Sequence, residues 1–371
     1  MVDLGSQYEL IKSEVTQAIQ EVIDTTAFIN GPQVKEFATN LAKYTGSKYV
    51  IPCANGTDAL QIAMMALDFK PGMEVIVPTF TYVATVEVIA LLGLKPVFID
   101  AVADTYDLDI SQLEGKISPK TVGIVPVHLY GQCSNMERIL EFASKHNIKV
   151  IEDTAQAIGS VYTFADGRKA QAGTMGHIGT TSFFPSKNLG CYGDGGAIFT
   201  QDELLAEKIR MIANHGQRKK YYHEIIGVNS RLDTLQAAIL NVKLQHLSRY
   251  SASRNKVADR YDQAFINHPH LRIPERMPNS THVFHQYTVQ LEGVDREEFK
   301  TFLAENGIPS MVYYPVPLHL QEAYLGFGNE KGEFPVAELL CQKVISLPIH
   351  TEMNPDEQEY IIETIKKFFI R

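Results

Sequence analysis

One lysine in this sequence has neighbours that suit covalent chemistry. Lys187 follows Phe183, Phe184 and Pro185, and the glycine-rich run 193–196 comes shortly after it. A lysine held among apolar groups loses its proton more easily, because desolvation disfavours the charged ammonium. The neutral amine is a nucleophile that forms a Schiff base with an aldehyde. Lys187 is therefore a candidate for covalent catalysis, although a lysine in a loop more often only keeps that loop hydrated.

A carboxylate earlier in the chain indicates which aldehyde Lys187 would bind. Asp153 closes a short, largely apolar segment that is typical of a buried strand. In open α/β sheets, ligands bind beyond the carboxyl ends of the strands. A lysine that forms an imine and an aspartate that keeps a pyridinium nitrogen protonated are the pair that pyridoxal 5′-phosphate requires. The alternative is that Asp153 is only a helix cap or a turn residue.

Further motifs in the same order make the chain recognisable. They lie at 2–4, 28–32, 54–60, 77–85, 152–153, 186–187, 229–238, 314–315 and 317–319. With these motifs the chain resembles the DegT/DnrJ/EryC1/StrS family of sugar aminotransferases, pyridoxal-phosphate enzymes of fold type I that act on nucleotide-linked keto-sugars. The segments 183–200 and 228–240 look most like the members that aminate C3 of a UDP-linked 3-keto-N-acetylglucuronic acid. Cell-surface polysaccharide, such as lipopolysaccharide O-antigen, is the usual destination of such products.

The cofactor phosphate has a candidate site at 55–57, where a predicted strand meets a predicted helix. Amides at a helix N-terminus point beyond the sheet and form an anion site. The resemblance implies that Gly56 and Thr57 bind the phosphate and that the Ser182 hydroxyl is a further donor. A glycine for the turn and a threonine as N-cap explain the first two residues equally well.

The resemblance also implies contacts around the rest of the cofactor. Tyr82 matches an aromatic residue that stacks on the pyridine ring, and Gln156 matches a residue near the ring hydroxyl. Asn229 is similar to a residue that crosses a dimer interface to the phosphate of the neighbouring subunit. We therefore expect a homodimer whose two active sites are each completed by both subunits.

Four residues are substrate-binding candidates by resemblance. Arg231 matches a sugar-contacting position, and a guanidinium suits the carboxylate of a uronic acid or of the donor L-glutamate. Its alternative is a buried salt bridge to Asp233 or another acid. Tyr313, Tyr314 and His319 are expected to face the cleft from a strand and loop of the C-terminal domain. The uronate enzymes are expected to have a histidine where Tyr313 stands, which leaves the sugar open.

Two other features have weaker functional interpretations. His128 follows a predicted strand and would either line the pocket or be a satisfied core histidine. The basic run 218–220 would either bind a diphosphate or be a solvated loop.

Other functions remain open within the same scaffold. One is amination at C4 of a dTDP- or UDP-linked 4-keto-6-deoxy sugar, and another is a non-catalytic, ligand-sensing regulatory protein. A sugar dehydratase of this family would have histidine in place of Lys187.

Composition indicates a globular enzyme and excludes some partners. The chain has 371 residues and a formal net charge of −9, which argues against nucleic acid or an anionic membrane. The N-terminus shows no signal-peptide pattern, and no apolar run is long enough to span a bilayer. We expect a cytoplasmic protein with no metal site and with four reduced cysteines at spacings that fit neither metal nor disulfide: Cys53, Cys133, Cys191 and Cys341.

The pattern of elements predicts an α/β protein. Short β-branched runs alternate with helical segments up to about residue 213, which is typical of a mostly parallel central sheet flanked by helices. A long helix is predicted over 232–265, and a strand over 311–314. We predict a large cofactor-binding domain of residues 1–245 and a small α+β domain of residues 246–371, as in fold type I.

Overall fold

Short β-branched runs form the strands of this protein, and longer amphipathic runs form its helices. The structure, a computed structural model, describes residues 1–370. Within them the strands are β1 (Tyr49–Cys53), β2 (Glu74–Pro78), β3 (Lys95–Ile99), β4 (Thr121–Ile124), β5 (Lys149–Asp153), β6 (Val161–Thr163), β7 (Lys169–Gln171), β8 (Ile178–Ser182), β9 (Gly196–Thr200), β10 (Gln217–Lys219), β11 (Tyr222–His223), β12 (Leu271–Arg272), β13 (Tyr287–Leu291) and β14 (Val344–Leu347). The helices are α1 (Leu4–Thr25), α2 (Pro32–Thr45), α3 (Gly56–Ala66), α4 (Ala84–Leu91), α5 (Leu113–Lys116), α6 (Met136–His146), α7 (Glu203–Ala213), α8 (Thr234–Phe265), α9 (Arg296–Glu305), α10 (Pro335–Lys343) and α11 (Pro355–Phe368).

A seven-stranded sheet in the order β1-β9-β8-β5-β4-β2-β3 forms the centre of the large part of the molecule. The strands from β8 to β3 pair in parallel. Strand β9 is antiparallel to both β1 and β8. The expected mostly parallel sheet is therefore confirmed, with β9 as the exception. Because antiparallel neighbours need no crossover helix, β8 and β9 are joined by a loop, and that loop carries Lys187.

Both faces of this sheet are buried, which explains the nearly continuous apolar strands. In β2, Val75 and Val77 pack into one core with α3, α4 and α7. Ile76 points to the opposite face and packs into a second core with α6. The alternation follows from the two-residue repeat of a strand. The same alternation places Asp153 and its neighbour Glu152 on opposite faces of β5.

A smaller α+β unit with its own core follows along α8. Leu247 of this helix packs into a core of the large part, whereas Val257 packs into the core of the small part. The antiparallel sheet β12-β13-β14 forms the small core together with α9 and α11. The division at residues 245 and 246 stays a prediction, and the segment 318–344 packs largely on the core of the large part.

Some predicted elements differ from the observed ones. The strand predicted over 311–314 is not formed, and only Met311 makes a bridge, to Ser346. Tyr313 and Tyr314 instead pack against the core of the large part, which draws the chain away from the small sheet. Strand β4 ends at Ile124, because the proline at 126 has no N–H to continue the ladder. No helix within residues 1–370 combines the length and the apolar character needed to cross a membrane.

Candidate active site

The loop between β8 and β9 presents Lys187 at the carboxyl end of the parallel strands. The amide of Lys187 donates to the carbonyl of Phe184 at 2.8 Å, which closes a tight turn around the lysine. Further along, the amide of Cys191 donates to the carbonyl of Phe183, also at 2.8 Å. The loop is therefore anchored on both sides of Lys187 by its own backbone.

The amine of Lys187 is in a state that suits nucleophilic chemistry. Burial lowers its pKa to about 8, although the nearby carboxylate of Asp153 acts in the opposite direction. Within residues 1–370 the amine has no ion-pair partner. With a pKa near 8, roughly one molecule in ten carries the neutral amine at pH 7, against roughly one in a few thousand for an unperturbed lysine.

Asp153 is the last residue of β5, and β5 pairs in parallel with β8, the strand that leads to Lys187. Its carboxylate is 6% exposed. One oxygen accepts a hydrogen bond from the Thr85 hydroxyl at 2.9 Å, and the other accepts from the amide of Ala155 at 3.1 Å. These bonds fix the orientation of the carboxylate. The sheet thus brings the two predicted catalytic residues together.

The start of α3 forms an anion cradle opposite Ser182. Asn55 caps the helix by accepting from the amide of Asp58 at 2.8 Å. The first amides of a helix have no intrahelical partner, and within residues 1–370 those of Gly56 and Thr57 have no other acceptor, so they can bind an anion. A Cβ added at Gly56 would lie 2.7 Å from the Cβ of Ser182. Only glycine therefore permits this close approach between the helix terminus and the end of β8.

Tyr82 and Gln156 both lie against Tyr314. Tyr82 is 56% exposed, and its ring centroid lies 6.2 Å from that of Tyr314. The Gln156 side chain accepts from the Tyr130 amide at 2.7 Å and donates to the Tyr314 hydroxyl at 3.1 Å. An amide NH₂ has a second donor, so one N–H of Gln156 is left for a ligand.

Asn229 and Arg231 lie on a segment that is hydrogen-bonded to the residues just before the anion cradle. Between them, the Ser230 hydroxyl accepts from the amide of Ala54 at 3.0 Å, and the Asn229 side chain is exposed. Arg231 has no carboxylate partner within residues 1–370, so the alternative of a salt bridge to Asp233 is not realised.

Arg231 lies at one end of a groove of about 640 Å³ along the edge strand β1. Three other cations line this groove, namely Lys35, Lys48 and Arg210, and no carboxylate does. Lys187 of the same chain is not among the lining residues.

The three predicted substrate residues of the C-terminal part differ in how deeply they are buried. Tyr313 and Tyr314 are half-buried, and the Tyr130 hydroxyl donates to the carbonyl of Tyr313. His319 is fully buried. Its Nδ1 lies 2.8 Å from the Thr79 hydroxyl, and its Nε2 lies 3.2 Å from the carboxylate of Glu338.

The expectation that His319 faces the cleft is therefore wrong for this structure, because both ring nitrogens have protein partners. Burial lowers the pKa of His319, although Glu338 opposes this effect. The contact with Thr79 instead anchors the start of the loop that presents Tyr82. His319 is thus placed to position that loop rather than to contact substrate.

Comparison with known proteins agrees with this geometry. The sequence matches the model of the DegT/DnrJ/EryC1/StrS aminotransferase family over residues 9–366. The chain belongs to that family. This sugar aminotransferase is 47% identical over 357 residues to the UDP-2-acetamido-2-deoxy-3-oxo-D-glucuronate aminotransferase of Pseudomonas aeruginosa, covering 95% of each chain.

The chain is also similar to a relative that is named as a regulatory protein and to a solved structure. The aminotransferase is 44% identical to the pleiotropic regulatory protein of Geobacillus stearothermophilus, covering 100% of this chain and 98% of the relative. It superposes on the crystal structure of S. venezuelae DesV in complex with a ketimine intermediate with a TM-score of 0.95. That pair is 37% identical and covers 100% and 98% of the two chains. The fold is therefore that of the fold type I transferases.

The family cofactor is pyridoxal 5′-phosphate, and solved relatives are described in forms that contain it or its pyridoxamine counterpart. The residues of this aminotransferase fit that group. The cradle at Gly56 suits the phosphate, the amine of Lys187 suits the aldehyde, and the carboxylate of Asp153 suits the ring nitrogen. The buried hydroxyl of Thr81 has no partner within residues 1–370 and is a further donor available to the cofactor.

Sequence reasoning missed several residues of this site. Thr85 was part of a quoted motif, but its bond to Asp153 depends on how α4 packs on β5. His285 is 5% exposed, and burial together with the charge of Lys187 lowers its pKa well below the usual value. No motif marked His285, because only the tertiary structure brings residue 285 near residue 187.

For His128 and the basic run 218–220, the structure favours the structural interpretation over the functional one. His128 is fully buried and pairs with Glu152 rather than lining a pocket. Lys219 and Lys220 are exposed on the hairpin β10–β11, where they stack on Tyr222 and Tyr221.

Cofactor uptake by the cofactor-free protein is expected to become faster as the pH rises, with a midpoint near pH 8. The neutral form of Lys187 is the nucleophile, and its fraction increases through its pKa. Rapid-mixing absorbance measurements at several pH values test this expectation. Asp153→Asn removes the charge that raises the pKa and should move the midpoint lower. A midpoint above pH 10 would contradict the proposed environment of Lys187.

Proposed function

We propose that this aminotransferase moves the amino group of L-glutamate to C3 of a UDP-linked 3-keto-N-acetylglucuronic acid, for cell-surface polysaccharide synthesis. The proposal depends on the amine of Lys187, which has a pKa near 8 and lies near the carboxylate of Asp153. Asp153 ends β5, and Lys187 lies in the loop that follows the paired strand β8. The 47% identity to the Pseudomonas aeruginosa enzyme supports the choice of sugar.

In this proposal Lys187 has two roles. Its neutral amine holds the cofactor aldehyde and, once released, takes the proton from Cα of glutamate as a general base. The bound cofactor supplies an electron sink for the pair of electrons left on that carbon. Lys187 would then deliver that proton, as a general acid, to the former aldehyde carbon of the cofactor, and hydrolysis would release 2-oxoglutarate. The reverse transfers by Lys187 would place the amino group on the sugar carbon. Because one amine serves both half-reactions, ping-pong kinetics are expected.

Asp153 and the cradle orient the cofactor for those proton transfers. The carboxylate of Asp153, held by Thr85 and Ala155, is proposed to keep the ring nitrogen protonated. The amides of Gly56 and Thr57 and the hydroxyl of Ser182 are proposed to bind the phosphate. Tyr82 would stack on the ring, and the free N–H of Gln156 would reach the ring hydroxyl.

Substrate recognition is proposed to involve Arg231, Tyr313 and Tyr314. The guanidinium of Arg231 has no ion-pair partner within residues 1–370 and suits bidentate binding of a carboxylate. Both glutamate and a uronic acid carry one. Arg231 lines a groove that Lys187 of the same chain does not line, and Asn229 resembles a residue that crosses a dimer interface. We therefore propose that Asn229 and Arg231 act on the active site of a second subunit.

Subunit complementation tests the shared site. Lys187→Ala and Asn229→Ala are each expected to be nearly inactive as homodimers. After the two are mixed and allowed to exchange subunits, a hybrid dimer contains one site with both changes and one site with neither. Turnover should then recover to about a quarter of that of the unmodified protein. If mixing restores no activity although subunit exchange is demonstrated, each site belongs to one chain.

The substrate assignment is tested by incubating the enzyme with glutamate and a panel of UDP- and dTDP-linked keto-sugars. Mass and NMR analysis of the products identifies the aminated carbon. Amination of the 3-keto uronate is the expected result. Turnover of a 4-keto-6-deoxy sugar without turnover of the 3-keto uronate would overturn the assignment in favour of a C4 aminotransferase.

The regulatory alternative has one supporting observation, the name of the Geobacillus stearothermophilus relative. A sensor would bind ligand without completing a half-reaction. Glutamate added to the cofactor-loaded protein should shift the visible absorbance to that of the pyridoxamine form. Absence of that shift would favour the sensor.

A further inference from the structure

A fully buried pair of polar side chains lies directly behind the proposed ring-nitrogen partner. Glu152 precedes Asp153 in β5, and both Glu152 and His128 have completely buried side chains. Nε2 of His128 lies 3.0 Å from Oε2 of Glu152. Because side chains alternate along a strand, this pair lies on the face of the sheet opposite Asp153.

The hydrogen-bond pattern assigns the charge of each partner. Nδ1 of His128 accepts from the amide of Ser134 at 3.0 Å, so it carries no proton. The ring proton is therefore on Nε2, and that N–H donates to Glu152. His128 is then a neutral imidazole, which identifies the contact as a hydrogen bond to a carboxylate rather than an ion pair.

Glu152 is ionised by the same argument, because all its neighbours are donors. Oε2 accepts from Nε2 of His128 and from the amide of Gly173 at 2.9 Å. Oε1 accepts from the amides of Met175 and Gly176 at 2.7 and 2.5 Å. A protonated carboxyl would need an acceptor, and none of these four groups is one. Four donors satisfy the buried charge, as burial requires.

The pair is connected to the active site through the backbone of the next residue. The amide of His128 donates to the carbonyl of Asp153 at 3.0 Å, and the amide of Asp153 donates to the carbonyl of Pro126 at 3.0 Å. His128 also begins the turn that places the amide of Tyr130 on the side chain of Gln156. Two proposed cofactor residues, Asp153 and Gln156, are thus held by the segment that Glu152 anchors.

We propose that Glu152 and His128 form a positioning unit, a buried carboxylate bonded to a neutral imidazole, that holds the Asp153 carboxylate in place for the cofactor ring nitrogen. The inference rests on the proposed role of Asp153. It goes beyond that role because Glu152 and His128 lie on the opposite face of the sheet and would not contact the cofactor themselves.

Glu152→Gln tests the carboxylate with almost no change in shape. An amide has one acceptor oxygen, and each oxygen of Glu152 accepts two donors, so either orientation of glutamine leaves two donors without an acceptor. With the cofactor-loaded protein, ¹⁵N NMR of labelled pyridoxal phosphate is expected to show a less protonated ring nitrogen. The cofactor dissociation constant should rise about ten- to a hundredfold, which corresponds to the loss of buried hydrogen bonds.

His128 variants test the neutral state of the imidazole. His128→Gln keeps an N–H donor for Glu152 and should retain most of the ¹⁵N signal of the unmodified protein. His128→Leu removes that donor and should behave like Glu152→Gln. The titratable groups near His128 include Glu152, which accepts from its Nε2, and the buried Asp107. If His128 were cationic, glutamine would be as harmful as leucine, and that result would overturn the assignment.

Matched controls separate a local effect from general instability. His350→Gln and Glu357→Gln change another histidine–glutamate pair, 3.4 Å apart and with an exposed glutamate, in the small part of the molecule, and should leave the ¹⁵N signal unchanged. Asp153→Asn must itself deprotonate the ring, and if it does not, the proposed function of Asp153 fails. If Asp153→Asn deprotonates the ring while Glu152→Gln and His128→Leu retain the unmodified signal and affinity, the positioning unit is refuted and the role of Asp153 stands. Should Glu152→Gln not fold, the comparison between the two His128 variants decides the question in the same way.

Discussion

Lys187→Ala is expected to abolish turnover and to remove the visible absorption of lysine-bound cofactor. The variant loses both the nucleophile that holds the aldehyde and the group that moves the substrate proton. General acid–base catalysis alone contributes about 10²- to 10⁴-fold, so activity should fall by at least about a thousandfold. Measurements of kcat with glutamate, and of peptide labelling after borohydride reduction, test this expectation.

A second buried lysine provides the matched control. Burial also lowers the pKa of Lys243 to about 8, but its amine lies 5.3 Å from the ring centroid of Tyr192 and not beside Asp153. Lys243→Met should retain the visible absorption and the labelling of Lys187. If borohydride tags Lys243 instead, a lowered pKa alone would have misidentified the site, and the assignment of Lys187 would be wrong.

Asp153→Asn is expected to cause the second-largest loss, while the protein still takes up the cofactor. An ion pair at about 4 Å is worth ~4 kcal/mol at an effective dielectric constant of 20. That energy equals about three pKa units, so the ring nitrogen would lose its proton near neutral pH. The rate of the glutamate half-reaction should then fall about a thousandfold, as measured by stopped-flow absorbance.

A carboxylate of the small part of the molecule controls for this change. Asp262 accepts a hydrogen bond from the Tyr287 hydroxyl at 2.7 Å, and Asp262→Asn should leave the half-reaction rate unchanged even if it lowers stability. A loss below about threefold in Asp153→Asn would mean that the ring nitrogen does not depend on this carboxylate.

Local patterns in the sequence predicted the chemistry because that chemistry needs particular residue types at strand ends. Asp153 closes a short apolar segment and was expected at the carboxyl end of a strand. Lys187 was expected in an apolar loop, and the cofactor chemistry linked the two residues. The family resemblance added Gly56 and Ser182. The structure brings these residues together through the pairing of β5 with β8 and through the close approach of Gly56 to Ser182.

Patterns of local sequence were less informative for residues whose roles depend on distant partners. His319 looked like a ligand-facing histidine, but Thr79 and Glu338 occupy its ring nitrogens. His128 and Glu152 stand 24 positions apart in the chain, and nothing in either segment indicates their contact. The predicted strand at 311–314 failed for the same reason, since packing against the large core outweighed its β propensity.

The amino-acid sequence by itself determined the class of fold, the family, and the lysine and aspartate on which the proposed reaction depends. These follow from short-range signals: apolar periodicity, turn residues and motifs in a set order. The tertiary structure alone decided which side chains are free to act, because burial and hydrogen-bond partners come from strands and helices far apart in the chain. A histidine bonded on both nitrogens positions a loop, whereas a lysine left without a partner in an apolar turn is available for chemistry.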